Sequence, residues 1–248
     1  MAIVTTDDKY YKDIANALRT HGEHEMLLTP GMMADAVNEV KIVQRAKGFQ
    51  EGDLNGYEVG KQAQRDEFWA AVQNNGEITN YTRLFSNALW TDELFCPRYD
   101  FVTSSMYQCF MDNTSITRLD VKSDRTPLVI DASTISTSTG FNRAFYGMTH
   151  LVSINKIISR KEAPWSDAFK SCNILEEIRF DGIIGTDIDF SSCSVLSDES
   201  ITSIKEHLYD FPSNGSNETR TIKFHSNIKK RLGDSGIAEF TVKGWTVG

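Results

Sequence analysis

Hydrophobic side chains recur in one fixed order along the central part of the chain. Four times a large apolar residue is followed at +3 by a smaller apolar residue and at +4 by Phe, starting at Tyr81, Met106, Phe141 and Trp165. A fifth, shorter copy contains Phe190, and the Phe residues are spaced 25, 35, 24 and 21 residues apart. Most of these spacings fall in the range of about 20–29 residues that leucine-rich-type solenoids use. The pattern therefore predicts short units that stack around one continuous core.

The residues expected to fill that core are the Phe of each unit and the aliphatic residues six and nine positions later. They are Phe85, Phe110, Leu119, Phe145, Leu151, Ile154, Phe169, Leu175 and Ile178. Within each unit we expect the large residue at −4 and the Phe to lie one helical turn apart, and the aliphatic residue at +9 to enter a strand. Residues 127–131 predict an additional strand, which helps to explain the 35-residue spacing.

The end of the chain departs from the repeat. A longer helix is predicted to begin after Leu196, with Ser197 as its N-cap and Ile201 on its core face. Residues 220–224 predict a strand, and residues 237–247 are expected to close the fold. Terminal units of a stack differ from internal ones because one of their faces meets water, so we interpret this region as a cap.

The first 43 residues predict a different structure, a pair of short helices. Tyr11 and Leu18 belong to the apolar stripe of the first helix, and Thr29 and Pro30 stand where an N-cap and a first helical residue would open the second. A helix pair of this size buries too little area to be stable by itself. We therefore expect residues 1–43 to act as an anchor that docks on this chain, on a copy of it, or on a partner.

Residues 44–76 form a connector that carries four glycines at intervals of four. These glycines are Gly48, Gly52, Gly56 and Gly60. On a helix they would form a bare stripe against which a second helix could pack, so they are candidates for self-association. Each would cost that helix about 1 kcal/mol relative to alanine. The competing interpretation, slightly favoured because Asp53 and Asn55 prefer turns, is a linker followed by a helix from Tyr57 to Gln73.

The composition limits the classes of function. The chain has 248 residues, 40% apolar and 24% charged, as in an ordinary globular protein. A net charge of −8 argues against a sequence-independent nucleic-acid binder, and the basic residues 229–231 are interpreted as a solvated turn. We expect no signal peptide and no membrane span, because no basic leader and no apolar stretch of about 18 residues is present. The four scattered cysteines are expected to be reduced and structural.

A search for catalytic and metal-binding patterns finds only weak ones. The cluster at residues 21–25 is interpreted as a polar loop, and residues 182–185 as a turn that lacks the lysine of a phosphate loop. Asp181, Asp187 and Asp189 do not have the spacing of an EF-hand loop. We therefore predict no enzyme, no cofactor and no metal. The surface aromatics Tyr99, Tyr107, Tyr146 and Trp90 show no common register, although a binding face for a protein or a carbohydrate stays an alternative.

These motifs together resemble a known family. The F-x5-L-x2-[IL] repeat at residues 110–119, 145–154 and 169–178 resembles the BspA-like subfamily of leucine-rich repeats. The C-terminal segments 196–201, 222–224 and 243–245 resemble the closing unit of such domains in phage and prophage proteins. Segments 14–37 and 56–69 are similar to parts of phage tail-associated proteins.

The resemblance implies both a fold and a function. The fold is an α/β solenoid, a right-handed leucine-rich-repeat-like stack with a C-terminal cap over residues 77–248, preceded by the small helical region. The function is that of a virion structural protein, made in the bacterial cytoplasm and anchored to other virion proteins through its N-terminal region. We expect it to form a homo-oligomer, with a host surface protein or glycan as a further candidate partner. A bacterial leucine-rich-repeat interaction or adhesion module is the alternative.

Overall fold

The computed structural model describes residues 69–70, 72–73, 78–87, 95 and 97–248. The N-terminal anchor at residues 1–43 and the four connector glycines lie outside the described residues. Residues 69–70 and 72 are helical, in agreement with the end of the helix predicted to reach Gln73. Trp69 is fully buried, with its ring centroid 5.2 Å from that of Phe95. This helical end therefore packs onto the first coil of the core.

Five parallel strands form the first sheet. They are β1 (Phe101–Val102), β2 (Arg118–Leu119), β3 (Val129–Ala132), β4 (Ser153–Ser159) and β5 (Glu177–Gly182). The long strand β4 pairs with β2 and β3 along its length and with β5 on its other side. Partner residues are far apart in sequence, as in Phe101↔Ile130 and Ile154↔Ile178. Paired strands therefore belong to successive coils of the chain, with β2 and β3 sharing one coil. The additional strand predicted at residues 127–131 is confirmed as β3.

The opposite side of the coils is built from turns, so the predicted helical segments at the Phe residues are wrong. In three of these segments the amide of the Phe donates to a carbonyl of the following coil, from Phe85 to Cys109, from Phe110 to Ala144 and from Phe145 to Ala168, with N···O distances of 2.8–3.0 Å. The residues two before and two after each Phe have left-handed backbones, as Arg83 and Asn87 do with φ of 57° and 52°. An α-helix needs right-handed φ throughout and keeps its amides for its own carbonyls, so this backbone cannot be helical.

A column of phenylalanine rings runs through the centre of the stack. Its neighbouring centroids are 4.8–6.1 Å apart and the ring planes lie within 20° of parallel. The column contains Phe85, Phe110, Phe145, Phe169, Phe190 and Phe224, each of which is at most 2% exposed. The aliphatic residues predicted at +6 and +9 are buried as well. Phe224 was not predicted to join the column, because it arrives on a strand rather than on a repeat turn.

A second parallel sheet takes the place of the turns near the C-terminus. It contains β6 (Ile188–Phe190), β7 (Arg220–Phe224) and β8 (Trp245–Val247). The strand predicted at residues 220–224 is confirmed. Phe190 continues the column because its ring stacks on Phe169 of the last turn and on Phe224 of β7. The core therefore passes without interruption from turns to strands.

Two α-helices complete residues 97–248, and sequence reasoning anticipated one of them. The first, α1 (Asp198–His207), has the predicted N-cap, since the Ser197 side chain accepts a hydrogen bond from the Ser200 amide. The second, α2 (Ser226–Thr241), contains residues 229–231, so their interpretation as a solvated turn was wrong. Gly233 interrupts α2 with φ of 60°, so the apolar residues of α2 do not keep one helical spacing in the sequence. Ile228 is buried in the first half of the helix and Phe240 in the second.

This arrangement contains parallel strands, stacked coils and two helices at one end. Its assignment to the leucine-rich-repeat solenoids stays a prediction, as do the right-handed sense of the coil and the division into three regions.

Candidate functional site

The nine predicted core residues form the interior of the stack, where a ligand at the surface could not reach them. All of them are at most 1% exposed, so their role is to set the spacing and shape of the coils. The self-association candidates Gly48, Gly52, Gly56 and Gly60 lie outside the described residues. Any binding site in the described part of the chain therefore depends on side chains that the repeat pattern leaves outside the core.

The carboxylates and glycines that could have suggested cofactor chemistry have local partners. Asp181 pairs with Lys156 at 3.6 Å, and Asp187 accepts a hydrogen bond from the Thr221 amide at 2.7 Å. Asp181 lies on β5, Asp189 lies on β6, and Asp187 immediately precedes β6. Burial alone would raise the pKa of Asp189, but hydrogen bonds from Ser191 and the charge of Lys223 outweigh it and lower that pKa. The described residues include no group of three or more His, Cys, Asp or Glu side chains arranged to hold a metal ion.

Residues 182–185 fold as a tight connection rather than as a phosphate loop. Gly182 has φ of 79°, and a Cβ atom at this position would overlap the carbonyl oxygen of Ser159 on the neighbouring strand. The same oxygen accepts a hydrogen bond from the Ile183 amide at 3.1 Å. The glycine is therefore required by the close approach of two coils, which accounts for it without a ligand.

A ladder of side-chain donors, which sequence reasoning missed, lies three residues after the Phe. There the Asn113 side chain donates to the Phe85 carbonyl at 3.4 Å, and the Cys172 thiol donates to the Phe145 carbonyl at 3.1 Å. Cys193 has the same relation to Phe169, at 3.9 Å. The signal was present in the sequence as Asn or Cys three residues after Phe110, Phe169 and Phe190, the residue types that leucine-rich repeats also use, whereas Met148 follows Phe145 at this offset.

The three described thiols are held in their unreactive form. Burial raises the pKa of Cys172 to about 12 and raises those of Cys109 and Cys193 well above 9.0. Because the thiolate is the reactive and metal-binding form, these cysteines are structural.

The side of the turns that faces away from the core carries one polar side chain per coil, exposed at Arg83 and Arg143 but buried at Gln108. We define the turn-face row as the residues two positions before each Phe, namely Arg83, Gln108, Arg143 and Asp167. The guanidinium of Arg83 donates to the side-chain oxygen of Gln108 at 2.5 Å, and Arg143 lies 3.6 Å from the carboxylate of Asp167. Side chains of neighbouring coils therefore contact each other in two pairs, Arg83 with Gln108 and Arg143 with Asp167.

Two tyrosines border the turn-face row, in an arrangement that their different repeat positions did not predict. The guanidinium of Arg83 lies over the ring of Tyr107, 5.6 Å from its centroid. Tyr146 has two cations within 6 Å of its centroid, Arg143 at 5.9 Å and Lys170 at 5.8 Å. Both tyrosines are half-buried. The structure thus brings three cations and two aromatic rings together on one face.

A groove of about 270 Å³ lies between α1 and α2 at the other end of the stack. Ile201 and Leu232 contribute apolar surface to it. Ion pairs cross it at two points, between Arg231 and Asp198 at 2.8 Å and between Lys205 and Glu239. These pairs join the two helices, so the groove is explained by the packing of the cap.

Comparisons with models of protein families, with curated proteins and with solved structures gave no match to this chain. Neither α1 nor α2, nor any other helical stretch in the described part of the chain, combines the length and apolar character that a bilayer crossing requires.

The turn-face row with its tyrosines is the best candidate for a functional surface.

Proposed function

We propose that this chain is a non-enzymatic structural protein of a phage virion, which displays a leucine-rich-repeat-type solenoid for assembly or host contact. The phenylalanine column is the single observation that carries the proposal. A core that repeats along one axis makes each coil depend on its two neighbours, and such folds hold an extended surface in a fixed shape.

Backbone pairing reinforces that rigidity. Hydrogen bonds join neighbouring coils on both sides of the column, through the sheet at β3, β4 and β5 and through the amides of the turns. Rigid scaffolds present side chains at fixed spacings, which favours recognition because little ordering is needed on binding.

The proposed division of labour follows the three regions of the sequence. Residues 1–43 attach the protein to other virion proteins, and residues 77–248 form the displayed domain. Residues 44–76 connect these two regions. Virion proteins are commonly symmetric oligomers, and the connector glycines are the proposed seam. Replacing both Gly52 and Gly56 by leucine should change the assembled mass if they form a seam. An unchanged mass would assign them to a linker.

The location in a virion is tested by quantitative mass spectrometry of gradient-purified phage particles from the source culture. We expect this chain at a fixed ratio to the major capsid protein, and the ratio should persist after a wash in high salt. A chain that is present in cell fractions but absent from particles would contradict the proposal. That outcome would favour the bacterial interaction or adhesion module instead.

A further inference from the structure

The backbone of the turn-face row is left-handed, a conformation that arginine and glutamine seldom adopt. Its four members have φ between 53° and 57°, in the left-handed region. Glycine, asparagine and aspartate tolerate this region best. At the equivalent left-handed positions two residues after each Phe, the chain uses Asn87, Asp112, Gly147 and Ser171. The row instead uses arginine twice and glutamine once, so something other than backbone preference selects these side chains.

The row is also more basic than the rest of this acidic chain. Arg83, Arg143 and Lys170 provide three positive charges on the turn face, against the carboxylates of Asp112 and Asp167. Arg83 donates to the neutral amide of Gln108, and Asp167 pairs with both Arg143 and Lys170, so three cations against two carboxylates leave the turn face with one net positive charge. The whole chain has a net charge of −8. The turn face therefore has the opposite sign of charge to the chain as a whole.

The surface is too polar for the centre of a protein–protein interface. Such interfaces bury an apolar core, with charged residues depleted from it. None of the exposed large hydrophobic side chains among the described residues lies in the turns that contain the row, at residues 82–87, 107–112, 140–147 and 166–171. These side chains are Val102, Val121, Ile174, Ile183, Val195 and Val242. What the row offers instead is guanidinium groups for oxyanions and aromatic rings beside them.

We propose that the turn-face row binds a linear polysaccharide that carries carboxylate groups. Arg83 and Arg143 stand two coils apart, about 10 Å at the usual spacing of hydrogen-bonded strands, and each receives one carboxylate in the planar geometry that guanidinium groups favour. Tyr107 and Tyr146 pack against the sugar rings beside them. The inference rests on the proposed host-contact function, because it names the kind of host molecule that the displayed domain contacts.

The test measures binding of the purified full-length chain to two carboxylated polysaccharides, polysialic acid and alginate, with neutral dextran and polyglutamate as comparison polymers. The test variant replaces Arg83 and Arg143 by glycine, which suits a left-handed backbone. The control variant replaces Arg160 and Arg179 by alanine, since these arginines carry the same charge on other surfaces of the domain.

We expect binding to at least one carboxylated polysaccharide, weakened at least tenfold in the test variant and unchanged in the control. The test variant should stay folded, with an unchanged circular dichroism spectrum, because glycine suits the left-handed backbone and the losses are confined to the hydrogen bond with Gln108 and the ion pair with Asp167. The proposal is overturned if neither polysaccharide binds, or if both variants bind alike. It is also overturned if polyglutamate binds equally well, which indicates an acidic peptide. Binding to the purified chain does not depend on its presence in particles, so this test and the particle test can fail separately.

Discussion

The phenylalanine column should behave as a chain of nearest-neighbour couplings. Phe145 stacks on Phe110 at 5.8 Å and on Phe169 at 5.4 Å, with both pairs 10° from parallel. We expect Phe145→Leu, which keeps most of the side-chain volume, to remove both ring pairs. Aromatic pairs contribute about 0.5–1.5 kcal/mol each beyond buried area, so the substitution should cost about 1–3 kcal/mol.

A double-mutant cycle separates this coupling from the loss of volume. Combining Phe145→Leu with Phe169→Leu removes their shared pair only once, so the double variant should lose about 0.5–1.5 kcal/mol less than the sum of the single losses. Phe224 provides the control because Phe169 and Phe190 stand between it and Phe145 in the column. The cycle of Phe145→Leu with Phe224→Leu should be additive within about 0.5 kcal/mol.

The assay is urea-induced unfolding of all five variants and the natural chain, followed by circular dichroism. The dependence of the free energy of unfolding on urea must stay constant across the set, because a changed slope would mean that the surface exposed on unfolding had changed. Two equal coupling energies would refute the nearest-neighbour argument. A coupling of zero between Phe145 and Phe169 would show that the rings merely fill space.

Three further predictions concern single positions. Gly182→Ala should destabilise the fold by more than about 2 kcal/mol, at the upper end of about 0.5–3 kcal/mol for most substitutions, because its Cβ overlaps the Ser159 carbonyl. The control is Gly215→Ala, which has a similar φ of 72° but open space around the Cβ position. Equal losses of stability for the two variants in urea unfolding would contradict the steric argument. Burial raises the pKa of Cys172 from 9.0 to about 12, so above pH 9.0 the unfolded chain loses a proton that the folded chain keeps. Its contribution to the free energy of unfolding should therefore fall by about 1.4 kcal/mol per pH unit up to about pH 12, and Cys172→Ala should remove this part of the slope in unfolding titrations under reducing conditions. Ser197→Ala should cost about 1 kcal/mol through loss of the cap of α1, measured by thermal unfolding, whereas Ser197→Asp should retain most of the stability.

Local patterns in the sequence were sufficient to predict those features that depend on residues only a few positions apart. The Phe positions, the strand at residues 220–224 and the cap at Ser197 all follow from burial, alternation and hydrogen-bonding capacity within a few residues. The helix α2 was missed for a local reason too, since Gly233 interrupts the apolar period that identifies a helix.

The candidate site could not be predicted in the same way. Tyr107 and Tyr146 occupy different positions in their repeats. Arg143 lies beside Tyr146 within one turn, but only the stacking of coils brings Arg83 beside Tyr107 and Lys170 beside Tyr146. The left-handed residues were hidden because arginine and glutamine do not signal such a backbone. Contacts between coils determine it, since the amide of Arg83 donates to Tyr107 of the next coil.

The sequence by itself determined which side chains are buried and how often the chain returns to the core, because burial follows from the apolar character of each residue. Only the tertiary structure decided the form of the segments around each Phe and the surface they present. In isolation a spacing of four is equally compatible with a helix, and the choice depends on where the amides find acceptors. Here the acceptors lie in the next coil, 23 to 34 residues away in sequence, beyond the reach of any local pattern.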